Sequence, residues 1–375
     1  MDNKEFSLEI ENIDIPKEKK WRKEIIIAIV ALVLVIALIV VIVVLNSSSD
    51  DEEKNQEKIK DYGAINCYYK IESESQETQI ISESYNEPPN FDIYIEDKKI
   101  EYTKKYKFEK ANTYNVQYKL KGDLNMDYMF KDIFTLTNVD INLDEENNSK
   151  IKSMKETFEN CPNLIEFKMK GFDISEIKSL HKLFYNDEKL TEVNLQNFEN
   201  ENNLEDISYQ FAGCSSLAKI NLTNIDTKNV LDMSHMFQNC TSLKEVNINN
   251  FNIIKVENMA NMFDNCVSLF SLDLNNFKET NVKNMSYMFN NCISLKEIKM
   301  DNLVAKAPIN DMTYMFSKCE SLKDLSIKNW KIAEIEDISH MFDSCNSLSS
   351  LDVSQLNIKV KKCLIYFLRV LIFNI

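Results

Sequence analysis

Phe211, Phe237, Phe263, Phe289, Phe316 and Phe342 recur at spacings of 26, 26, 26, 27 and 26 residues. Cys214, Cys240, Cys266, Cys292, Cys319 and Cys345 follow them three residues later, and Leu217, Leu243, Leu269, Leu295, Leu322 and Leu348 three further on. Phe130, Phe158 and Phe184 extend the array backwards, which makes nine units between about Leu124 and Leu356. A fixed period of this size restricts the chain to a stack of coils. No single unit can bury its Leu, Met and Phe residues alone, so each must pack on its neighbours.

The unit can be folded from its spacings. Leu295, Ile298 and Met300 place Ile298 and Met300 on one face of a short strand and turn Lys299 to the other. Phe167/Met169, Val193/Leu195, Ile220/Leu222, Val246/Ile248, Leu272/Leu274, Leu325/Ile327 and Leu351/Val353 are the equivalent pairs. On the opposite side Met285, Met288 and Phe289 stand at i, i+3 and i+4, as do Met233/Met236/Phe237, Met259/Met262/Phe263 and Met312/Met315/Phe316. That spacing predicts one helical turn per coil. The predicted fold class is an α/β solenoid: a leucine-rich-repeat-like parallel β coil with short helical turns on its other side, preceded by a small β-rich unit and a transmembrane helix.

The block Met-Ser-Tyr-Met-Phe-Asn-Asn-Cys-Ile-Ser-Leu, residues 285–295, resembles the BspA-type leucine-rich repeat family, and the likeness covers about 124–357. It departs in the early copies: Phe130 and Phe158 lie in looser units, and Asp187 replaces the cysteine of the third. The resemblance implies a microbial surface or exported protein linked to attachment, with repeats that carry no enzymatic activity of their own.

Ahead of the array, residues 25–45 are 21 consecutive Ile, Val, Ala and Leu residues. At about 1.5 Å per residue they would span roughly 30 Å, the thickness of a bilayer core. The 24 residues before the run and its length argue against a cleaved signal peptide. Lys17, Lys19, Lys20, Arg22 and Lys23 precede the run and an acidic stretch, 47–53, follows it. The positive-inside rule then predicts a single-pass plasma-membrane protein with a cytoplasmic N-terminus and extracellular repeats. The expected organisation is a cytoplasmic tail at 1–24, a transmembrane helix at 25–45, a polar stalk at 46–64, a small β-rich unit or N-terminal cap at 65–120, the solenoid at 121–357, and an apolar tail at 358–375. The β reading of 65–120 rests on alternation such as Tyr114, Val116, Tyr118 and Leu120. The tail abandons the repeat at Cys363. Cys-Leu-Ile is what the expected Met-Ser-Tyr codons encode one base later, so a shifted reading frame is one expectation and an apolar cap the other. A truncated array would expose an apolar coil end and self-associate.

Composition narrows the chemistry. Lys plus Arg total 44 against 59 Asp plus Glu, a formal charge of −15, which excludes the basic footprint of a nucleic-acid binder. Only 4 Gly among 375 residues argue against Gly-rich phosphate loops. His181, His235 and His340 form no catalytic set, and no cofactor or metal is expected. The cysteines Cys214, Cys240, Cys266, Cys292, Cys319 and Cys345 occupy one column, where packed free thiols fit best, with bridging between coils as the alternative. Binding remains. The residues between the strand's core positions form the expected concave strip: Lys244, Glu245 and Asn247, Phe270 and Asp273, Lys296, Glu297 and Lys299, Lys323 and Asp324. The strip mixes charges and offers one aromatic side chain, so the expected function is a non-enzymatic protein-binding or adhesion module, with a protein or extracellular surface as partner and the lipid bilayer engaged through 25–45. The alternative is a structural, self-associating surface-coat protein without a discrete ligand.

Overall fold

A computed structural model of the chain describes residues 62–142, 150–170, 175–195, 203–223, 225–327, 329–349, 351 and 356–358. A sheet of seven strands opens this region. Its order is Glu192–Leu195, Glu166–Lys170, Leu136–Asn142, Ala64–Ile71, Asn112–Leu120, Phe91–Ile95, Lys98–Ile100. The first three strands are parallel and belong to the repeats, while the other four are antiparallel. The change of direction falls where Ala64–Ile71 pairs with Leu136–Asn142, so the segment before the repeats covers the first coil by hydrogen bonding. Packing continues across the same seam. The Tyr118 ring meets Phe130, the first phenylalanine of the array, edge-on at 5.3 Å. A stacked array needs such cover because its end coil has no neighbour on one side.

Beyond the sheet each coil contributes a short strand, with parallel pairs such as Ile220 on Val246 and Leu272 on Ile298. Ile220, Ile248, Leu272, Leu274, Ile298, Met300, Leu325 and Ile327 point inward and are buried, as the alternation predicts. Nine phenylalanines, from Phe130 to Phe342, form one stack, with ring centres 5.3–5.7 Å apart and planes within 15° of parallel. The ring spacing follows from the coil spacing, which parallel strand pairing fixes at about 4.8 Å.

The turn side corrects the predicted fold class. Met259, Met262 and Phe263 are buried, as their spacing requires, but they are not on a helix. The backbone amides of Met259, Asn261, Phe263 and Asn265 donate to carbonyls of the next coil, at Asn284, Ser286, Met288 and Asn290. Those of Met262, Asp264 and Cys266 donate three residues back, to Met259, Asn261 and Phe263. With alternate amides committed to the neighbouring coil, the i to i−4 ladder of a helical turn cannot form. Tight turns replace it, and two residues per coil take positive φ: Asn261 at 59° and Asn265 at 62° in this one. Among the described residues there is no helix, so the array is a β-solenoid rather than an α/β one.

The membrane reading is corrected as well. No helix among the described residues is long and apolar enough to cross a membrane. A helical span needs about 20 apolar residues. The single-pass plasma-membrane placement is therefore withdrawn. The run at 25–45, the flanking 1–24 and 46–61, and the tail from 359 onward lie outside the described residues.

Candidate binding face

The strand face carries the residues singled out in the sequence. Lys244, Glu245, Phe270, Asp273, Lys296, Glu297, Lys299, Lys323 and Asp324 are exposed, and Asn247 is half-buried. They are brought together as columns along the solenoid rather than as one cluster. Phe270 is 51% exposed and the Lys296 ammonium lies 4.7 Å from its ring centre, within cation–π range. Ion pairs on this face are few: Glu245 reaches Lys219 at 2.5 Å and Glu297 reaches Lys299 at 3.6 Å.

Six of the seven exposed large apolar residues escape the sequence reading, among them three near the strand face. Phe134 is 57% exposed, Ile165 43% and Ile293 38%. Phe134 and Ile293 each directly follow the cysteine column, Phe134 behind Ile133, which stands there in the first coil, and Ile293 behind Cys292. Ile165 and Phe270 each directly follow the leucine column. All four thus sit on the edge that leads into the strands. Phe134 and Ile165 fall in the looser early copies, where the columns are harder to follow, and Ile293 in a clear copy at a position outside the strand alternation. Phe134 and Ile165 also line a cleft of about 610 Å³ with Lys70, Glu72, Asn163 and Lys189, at the seam between the opening sheet and the first coils.

Cys67, Cys161 and the six ladder cysteines are buried and unbridged. From Cys161 to Cys345 each ladder Sγ donates to a phenylalanine carbonyl of the preceding coil, at 3.0–3.2 Å: Cys240 to Phe211, Cys266 to Phe237, Cys292 to Phe263. Burial pushes all of these thiols above their ordinary pKa, Cys345 to about 12. Raised pKa values disfavour the thiolate, the form that nucleophilic and metal chemistry require.

The histidines are held in surface contacts. His235 stacks on Tyr209 at 4.1 Å, and His340 stacks on Tyr314 at 4.6 Å. His340 Nδ1 also meets Asp343 Oδ2 at 2.5 Å, and His181 lies beside both a serine and a carboxylate. Its Nδ1 lies 2.7 Å from Ser208 Oγ and 3.8 Å from Asp206 Oδ2, and Ser208 Oγ donates to Asp206 Oδ1 at 2.6 Å. A proton relay needs nucleophile and carboxylate on different ring nitrogens. Here both share Nδ1, and the hydroxyl proton is already given to Asp206. Among the described residues no group of three or more His, Cys, Asp or Glu is placed to hold a metal ion.

A protein-family model described as "Mycoplasma protein of unknown function, DUF285" matches the chain in three tandem stretches, 124–219, 205–307 and 299–368. The matched stretches cover the β-solenoid and divide it into successive groups of coils. No curated protein matches the chain.

Proposed function

Because the chain belongs to the DUF285 repeat family, with its coils stacked into a β-solenoid, we propose that the array is a non-catalytic recognition scaffold whose protein partners dock on the strand face and its leading edge. The observation that carries this reading is where apolar surface is exposed. Seven large hydrophobic residues are exposed among the described ones, and four of them, Phe134, Ile165, Phe270 and Ile293, directly follow the cysteine or leucine column, in two pairs of adjacent coils. Scattered exposed apolar residues are ordinary, whereas alignment along one edge marks a contact surface. The likeness of the repeat block to BspA-type surface proteins supports the same reading.

A photo-reactive phenylalanine analogue placed at position 270 of the full chain tests it, with the same analogue at the exposed Lys318 on the turn side as control. Discrete protein adducts at 270, suppressed by excess unlabelled chain and missing at 318, are expected. Equal labelling at both positions, or none at 270, would defeat the proposal.

A further inference from the structure

Charge on the strand face is sorted by column. The Lys244 amide donates to the Ala218 carbonyl and the Lys296 amide to that of Phe270, both at 2.9 Å, so the residue after the ladder leucine stands in line from coil to coil. That column runs Lys244, Phe270, Lys296, Lys323, all exposed. The column beside it runs Glu245, Ser271, Glu297, Asp324, joined by the pairing of Ser271 with Glu297 and the bridge from Glu297 to Asp324. In the chain these residues alternate in sign. Stacking separates them into a cationic rail with one aromatic ring and an acidic rail next to it.

The cationic rail is not neutralised by its neighbour. Glu245 and Glu297 pair with Lys219 and Lys299 instead. No carboxylate among the described residues lies within 4.0 Å of the ammonium of Lys244, Lys296 or Lys323. Lys296 and Lys323 occupy adjacent coils, about 5 Å apart along the axis. Like charges carried on adjacent coils repel one another, and a bound anion would relieve the repulsion. Phe270 supplies an apolar contact within the same rail, with Ile293 of the next coil leading into Lys296.

We propose that the rail Lys244–Phe270–Lys296–Lys323 binds an acidic protein segment that carries an apolar side chain between its carboxylates. The inference rests on the recognition reading above and narrows its partner. A uniformly charged polyanion fits poorly, because its charges would also lie against Glu245, Glu297 and Asp324 and be repelled. A peptide whose carboxylates are confined to one edge avoids them, and its apolar side chain packs on Phe270.

The full chain is titrated against a fluorescent peptide of repeated Glu-Leu-Glu-Phe, read by anisotropy, with polyglutamate and a Lys-for-Glu peptide as comparisons. Binding is expected to the first peptide, about tenfold weaker for polyglutamate and absent for the lysine version. Combining Lys244→Glu, Lys296→Glu and Lys323→Glu should weaken binding about a hundredfold, and Phe270→Ser about tenfold, with melting curves unchanged. Should the triple variant misfold, Lys296→Gln alone should still weaken binding several-fold. Failure of the Glu-Leu-Glu-Phe peptide to bind, or indifference to the charge reversals, overturns the proposal. Equal binding of polyglutamate also overturns it, leaving a bare cationic strip. Position-specific cross-linking at 270 that persists without peptide binding would leave the recognition reading standing and remove the acidic-segment inference alone.

Discussion

The backbone amide of Cys161 donates to Asp187 Oδ1 at 2.8 Å, across to the next coil. In later coils the equivalent amide bonds back to its own phenylalanine, as Cys240 does to Phe237. Asp187 stands where seven of the other eight coils carry cysteine and is fully buried, and its second oxygen, Oδ2, has no partner. Burial holds its carboxyl well above the usual range, against the lowering effect of the Cys161 amide. The folded chain therefore keeps a proton that the unfolded chain releases near pH 4. The resulting stability is fully present below that value and is lost as pH rises towards the folded-state pKa. Asp187→Cys restores the repeat column, removes the orphaned oxygen and requires the Cys161 amide to bond back to Phe158, as its equivalents do in later coils. It should raise stability at pH 7 by about 1–3 kcal/mol and flatten the pH dependence of urea unfolding between pH 4 and neutrality. An unchanged midpoint and slope would show that the carboxyl is satisfied.

A second departure from the repeat lies on the surface. Tyr209 and His235 stack at 4.1 Å, and Tyr287 and Tyr314 at 4.7 Å, yet between the two pairs stands Asn261. All of these residues have positive φ, 56–59°. Asn tolerates that conformation better than Tyr, but Tyr already adopts it at 209, 287 and 314. Asn261→Tyr would join the two stacks into one. The expected gain is about 0.5–1 kcal/mol from two new ring contacts, less the backbone cost, and thermal denaturation reads it. A loss of more than about 1 kcal/mol would mean that the conformational cost outweighs stacking.

What the sequence revealed was burial, and what it concealed was backbone conformation. The Phe, Cys and Leu columns were legible because a buried position repeats with the coil. Spacing of i, i+3, i+4 at Met259, Met262 and Phe263 was read as a helical turn, but a chain of tight turns with residues at positive φ buries the same three side chains. A cue was available in Asn239, Asn265 and Asn291, which recur just before the cysteine at φ of 59–62°. Asn Nδ2 also donates to the Asn of the preceding coil there, 265 to 239 at 2.8 Å and 291 to 265 at 2.7 Å. The strand-face residues were legible one by one, and all but Asn247 are exposed. Their charge sorting was not, since it depends on which coil residue stands over which.

The phenylalanine stack should contribute heavily to stability. Phe289 is fully buried and contacts Phe263 at 5.6 Å and Phe316 at 5.3 Å. Phe289→Ala is expected to cost about 3–5 kcal/mol. Chemical denaturation of the variant reads the loss. A cost below about 1 kcal/mol would show that the stack is dispensable to the fold.

The thiols offer the most direct check on the solenoid interior. Eight of the chain's 9 cysteines are described, all buried and unbridged, and the ninth, Cys363, lies outside the described residues. Burial raises the ladder thiols, Cys345 to about 12, so that at pH 8 almost none is the reactive thiolate. Mass spectrometry after brief treatment of the native chain with iodoacetamide should show at most one alkylated cysteine, and full labelling only in denaturant. Oxidised and reduced samples should unfold at the same denaturant concentration, because no bridge joins neighbouring coils. Rapid native labelling of several cysteines would mean that the coils open readily. A mass deficit of paired hydrogens would instead place disulfides in the ladder, with the Sγ donation to the phenylalanine carbonyls lost.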